Sequence, residues 1–280
     1  TAALFDPLGG VRAQLVDFAR AAGPVVALQA SLDPLASTLR DLAEQARKAF
    51  SPQLQSALST PTRLLIPENL RHVRIQLWSW LLRISAKDGV CLAWAPRAEL
   101  VDMLITRRTS QARHRVLVEH RKEVVEDVMR SLSEVDHPQL LVYRQLVEEA
   151  ATCLVDNRDS AAQALLGNVL DSCMREYGHD WLADRFANAQ FVGGSHRRLR
   201  GVLAVREGRG SISPGLFTAY LLVTALKNTF GPAPRQATFN RHLAAHRAGQ
   251  GSYRSEFALS VVLVVQALLR HLDGFLWART

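Results

Sequence analysis

Phe257-Ala258-Leu259-Ser260-Val261-Val262-Leu263-Val264-Val265-Gln266-Ala267-Leu268-Leu269 is the stretch on which the fold turns. A helix with one wet face shows polar residues every three or four positions, and this run is apolar nearly all round. It therefore reads as the central helix of a bundle. It falls short of the ~18 apolar residues that a membrane span requires, as does the other long apolar run at 216–226. No charged segment followed by an apolar run stands at the N-terminus, so no signal peptide and no membrane association are expected.

Outward from that helix the apolar spacing stays helical, and the alternation of strands is nearly absent. Upstream, Ser213-Pro214 starts a helix that Gly231-Pro232-Ala233-Pro234 ends. Residues 193–210, with several glycines and arginines, read as a loop. Helices are expected from Ser160 to about Tyr177 and around 141–154, separated by a polar break at 156–159. A long helix is expected from about Thr109 to Leu132, with Val116, Val124 and Met129 on one face. Before it, Pro96 opens a helix through Leu100 and Leu104. Val90-Cys91-Leu92-Ala93-Trp94 is the one candidate for an extended piece, and Trp78, Trp80 and Trp94 read as core. Val73, Leu77, Trp80 and Leu81 share an apolar face. Nearer the N-terminus, Leu15, Phe18 and Ala22 form one stripe, and Leu35, Leu39, Leu42 and Ala46 another, with Asp33 and Pro34 as a helix start. The fold class is all-α, a multi-helix bundle. Asp136-His137-Pro138 is the best internal boundary, giving an N-terminal helical region over 1–136 and a helical domain over 137–280.

Composition bounds the function loosely. The 280 residues are 48% hydrophobic, enough for a real core. The formal charge of +8 rests on 30 Arg against 4 Lys. That skew fits a GC-rich genome better than selection for polyanion binding. Cys91, Cys153 and Cys173 are dispersed, which implies neither a disulfide framework nor a zinc site and fits a reducing cytoplasm.

Chemistry concentrates in Phe239-Asn240-Arg241-His242-Leu243-Ala244-Ala245-His246. Arg241 offers a permanent cation for a phosphate, and His246 an imidazole for proton transfer, the groups that metal-free RNA cleavage needs. Thr238 is a plausible cap for a helix carrying them. Arginine followed by histidine at this spacing is weak alone. Arg107 with His114, and Arg113 or Arg115 with His120, repeat it on the expected 109–132 helix, where a solvated charged face explains them. His242 and His246 have the spacing of a zinc pair, but Leu243 stands where a metalloprotease needs glutamate, and no third ligand is evident. The basic run through Arg197, Arg198 and Arg200 could guide a nucleic-acid backbone or simply be solvated.

The segment from Phe239 through His246, then Tyr253 and Glu256-Phe257-Ala258-Leu259 before an apolar helix, resembles the C-terminal end of HEPN-like helical domains of abortive-infection and toxin type. Upstream, Glu148-Glu149-Ala150, the break at Asn157-Arg158-Asp159, and Ala161-Ala162 with Leu165 fit the same resemblance. It covers roughly residues 137–276; Arg247 departs from it, standing where glycine is expected. The N-terminal half resembles uncharacterised helical regions of actinobacterial proteins. The resemblance implies a metal-independent endoribonuclease needing no cofactor, in phage defence or toxin–antitoxin regulation. Arg241 would bind phosphate, His246 would act as acid or base, and His242 and Asn240 would orient substrate or imidazole; Arg247, though it departs from the pattern, is a further candidate for substrate binding. On an ideal helix Arg241 and His246 stand about 140° apart. A homodimer, the arrangement that HEPN-like ribonucleases commonly use, would complete the site, and a protein partner such as an antitoxin would control it. The alternative is a non-enzymatic module binding a protein or nucleotide, with Arg241 paired to an acid such as Glu256 and the histidines bridging helices.

Overall fold

The computed structural model describes residues 66–186, 214–230, 238–240 and 253–280. The chain divides into the units Thr1–Pro61 and Thr62–Thr280, and all described residues belong to the second. Among them the secondary structure is helical throughout, with no strand. In chain order the helices are α1 (Trp78–Asp88), α2 (Ala98–Thr106), α3 (Ser110–Glu119), α4 (Arg121–Leu132), α5 (Leu141–Val155), α6 (Asp159–Glu176), α7 (Gly178–Arg185), α8 (Pro214–Phe230) and α9 (Ser255–Trp277). The fold class is the expected all-α bundle.

α9 is the axle. Every residue from Phe257 to Leu269 is buried, because α3, α4, α5, α6 and α8 all pack against it. Its buried polar side chains donate inside: Ser260 Oγ to the Glu256 carbonyl (2.7 Å), and Gln266 Nε2 to Ser131 Oγ on α4 (2.6 Å). At 23 residues α9 outruns the apolar stretch that nucleates it. By length and composition alone it could cross a membrane, yet 72% of its most apolar window lies buried within the bundle.

Asp136-His137-Pro138, expected as a domain boundary, lies within the second unit. The turn is pinned to α9. Asp273 accepts the backbone amides of Asp136 and His137 (both 2.9 Å), and Trp277 Nε1 donates to Asp136 (2.7 Å). The helices on both sides share α9 as a common core element.

Two expectations need correction. The long helix over 109–132 is two helices: Thr109 caps α3 by accepting the Ala112 amide (3.2 Å), and the backbone breaks at His120 (φ −105°, ψ 31°). The break turns α3 toward α1 and α2, and α4 toward α5. It also splits the expected stripe, so Val116 and Val124 are buried while Met129 is 37% exposed. Residues 90–94 form no strand but a buried connector. With no neighbouring strand to satisfy its carbonyls, a side chain must. Asn69 does so, donating to the carbonyls of Leu92 (2.9 Å) and Pro96 (2.7 Å). Trp78 stacks on Phe217, and Trp80 and Trp94 pack partly buried against the core. Leu77 leaves the apolar face proposed for it and is 38% exposed.

Candidate functional site

Of the candidate residues, Arg241, His242, His246, Arg247, Arg197, Arg198 and Arg200 lie outside the described residues. Asn240 lies within them, and so do both flanks of the arginine–histidine segment. The geometry of those flanks is what the structure contributes.

The upstream flank is built into the interior. Asn240 is 3% exposed, and its amide donates to the Asn228 carbonyl near the end of α8 (3.3 Å). Asn228 in turn donates to the carbonyls of Ala86 (2.7 Å) and Ser85 (3.3 Å) in α1. Asn240 is thus held in the scaffold. Phe239 reaches Gly167 on α6, where an added Cβ would meet its ring at 3.4 Å. Thr238 lies against Gly89, the left-handed residue (φ 66°) that ends α1. Thr238 Oγ1 is buried and makes no hydrogen bond among the described residues, and the helix it was expected to cap lies outside them.

The downstream flank is anchored as firmly. The Arg254 amide donates to the buried Gln163 side chain (3.3 Å), and the Ser255 hydroxyl donates to Asp159. Asp159 Oδ2 also accepts Arg121 Nη2 (3.0 Å), and the same guanidinium donates to the Leu154 carbonyl (3.1 Å) and Asn157 (2.7 Å). One arginine therefore ties together the end of α5, the start of α6 and the start of α9. Glu256, offered as an alternative partner for Arg241, has a cation beside it already: Arg254 at 2.8 Å.

Between α3 and the start of α9 opens a cleft of about 500 Å³. α3 contributes Ser110, Gln111, His114 and Arg115, and the α9 end contributes Arg254, Glu256 and Phe257. The arginines of this helix were read as one solvated face. The structure splits them. Arg113 is 2% exposed and forks onto Asp88, itself 1% exposed, through two hydrogen bonds, one of them 2.9 Å. Its remaining donors go to the Arg107 carbonyl (2.8 Å) and Ser110 Oγ (3.3 Å). Beside it, His114 Nε2 donates to the Asp88 carbonyl (3.3 Å), which fixes the imidazole at the cleft wall. Arg115, by contrast, is exposed at the cleft.

Neither Arg115 nor Arg254 was legible as a site residue. Each is ordinary in sequence, and only the docking of α3 on α9 brings them to one cavity. Among the described residues no group of three histidine, cysteine or acidic side chains is placed to hold a metal ion. No family model, curated protein or solved structure matches this chain.

Proposed function

We propose that this protein is a HEPN-type endoribonuclease that cuts RNA without a metal. The observation that supports the reading is that Asn240 and Arg254, on the two flanks of the Arg241–His246 segment, are both anchored in the buried scaffold, and that Arg254 borders a cleft together with Arg115. A segment tethered at both ends offers its functional groups at lower entropic cost than a free one.

RNA carries its own nucleophile. The 2′-hydroxyl attacks the adjacent phosphorus, the P–O5′ bond breaks, and a 2′,3′-cyclic phosphate forms. His246 supplies the imidazole for proton transfer, as base toward the 2′-hydroxyl or acid toward the leaving oxygen. Arg241 neutralises the charge gathering on the phosphate oxygens. His242 and Arg247 orient the substrate or the imidazole, and two copies of the chain complete one site. Such an activity fits a defence or toxin role in the cytoplasm, restrained by a protein partner until triggered.

The test compares the wild type with Arg241→Ala and His246→Ala for toxicity on expression and for RNA cleavage in EDTA. Cleavage by the wild type, lost in both variants, with products ending in a cyclic phosphate, is the expected outcome. Equal toxicity and equally intact RNA in all three removes the assignment. A second reading, a non-enzymatic helical binding module, is favoured by the burial of Asn240, since scaffold duty accounts for that residue without catalysis.

A further inference from the structure

We propose that the cleft between α3 and the start of α9 holds a phosphate of single-stranded RNA, gripped by Arg115 and Arg254. This deepens the RNA-cleaving reading by giving its substrate a second point of attachment, away from the scissile bond.

Size comes first. A cleft of about 500 Å³ falls in the range of about 300–1,000 Å³ typical of small-ligand sites and accommodates one nucleotide. Charge comes second. The side chains lining the cleft include two guanidiniums and one carboxylate. Glu256 is matched by Arg254 within the same helical turn, so the Arg115 charge is left over. Arg254 is held in place from below, its guanidinium carbon 5.1 Å from the centre of the Phe257 ring, while its side chain stays 46% exposed. It can turn a donor edge to a ligand without leaving that ring.

The backbone adds to this. Ser110 and Gln111 belong to the first turn of α3, and Arg254 is the N-cap of α9. The positive ends of two helices therefore border the same cavity, and no side chain caps that of α9. Unsatisfied amides and aligned peptide dipoles favour an anion there. Ser110 and Gln111 add neutral hydrogen-bond donors. Val118, 36% exposed, supplies an apolar wall of the kind a ribose or base edge packs against. A nucleotide, with its phosphate, its ribose hydroxyls and its base edge, matches each part of this lining.

The experiment measures binding separately from cleavage. A fluorescent 2′-O-methyl RNA oligonucleotide, which has no free 2′-hydroxyl and cannot be cut, is titrated with the full-length protein at several salt concentrations. The variants are Arg115→Glu, Arg115→Ala and, as control, Arg83→Glu on the exposed face of α1. Losing one exposed charge contact weakens binding about two- to fivefold, and the slope of log affinity against log salt shrinks by about 0.7 per contact. Arg115→Ala is expected to show that loss, Arg115→Glu a larger one, and Arg83→Glu none, with all melting temperatures unchanged. Wild-type affinity and slope in Arg115→Glu overturn the inference. So does a protein that binds 5′-AMP at this cleft but no oligonucleotide. The two proposals fail separately: binding that depends on Arg115 without any cleavage of ordinary RNA removes the nuclease and keeps the cleft, whereas cleavage and binding indifferent to Arg115→Glu do the reverse.

Discussion

Replacing Asp88 with asparagine removes one charge and almost no volume from the most deeply buried ion pair described. Arg113 would keep its hydrogen bonds to the Arg107 carbonyl and Ser110 Oγ, but its guanidinium would face a neutral amide in a site where both partners are 1–2% exposed. Breaking a buried pair from one side costs about 3–5 kcal/mol, because the surviving charge stays desolvated. The asparagine carbonyl can still accept one of the two lost bonds, which puts the expectation near the lower end, at about 3 kcal/mol. For a domain of this size each kcal/mol moves the melting temperature by about 2–4 °C, so Asp88→Asn should melt about 6–12 °C below the wild type. Removing both charges together, as Asp88→Leu with Arg113→Met, should recover much of the loss, since no orphaned ion remains. Thermal unfolding followed by circular dichroism reads all three proteins. If Asp88→Asn melts within about 2 °C of the wild type, the pair is not the buried junction described and the placement of α3 on α1 is wrong.

Other outcomes follow from the same interior. Asn69→Ala leaves the Leu92 and Pro96 carbonyls without their side-chain donor and should cost about 2–3 kcal/mol in urea unfolding; an unchanged midpoint would mean that solvent reaches the connector. Burial pushes the Cys91 thiol up to about 12 and also raises that of Cys173, whereas Cys153 is partly exposed. One thiol per folded chain should therefore react quickly with a thiol reagent at pH 8, the other two only at the rate of unfolding, and three fast thiols would contradict the core. His271, pressed against Trp94 and Trp181, is held down to about 3 by desolvation. Its unfolded form takes up a proton near pH 6.5 while the folded form does not, so stability should fall as pH drops from about 6.5 toward 3. His271→Phe should flatten that acid limb, and an unaltered limb would count against the buried imidazole.

The helical class and the place of α9 were readable because hydrophobic period and length speak to them directly. A run apolar on every face has few soluble solutions, and the polar break at 156–159 marks where α5 gives way to α6. The break at His120 was not readable: no proline or glycine stands there, and good helix formers lie on both sides. Nor was the burial of Arg113. An arginine among charges looks solvated until its partner arrives from 25 residues away. Residues 90–94 misled for a related reason. Short apolar runs do not distinguish strand from buried connector, and the residue that satisfies this one, Asn69, lies 23 positions from Leu92. At the candidate site, residue chemistry suggested the arginine–histidine segment, but the cavity that Arg115 and Arg254 border exists only through the meeting of α3 and α9.

That meeting makes the beginning of α9 a mechanical lever. The helix on which five others rest starts where the cleft ends, so ligand held at Arg254 bears on the hub of the bundle rather than on a peripheral loop. Occupancy should therefore register as slower amide exchange along the whole of α9 and as a higher melting point set by ligand concentration.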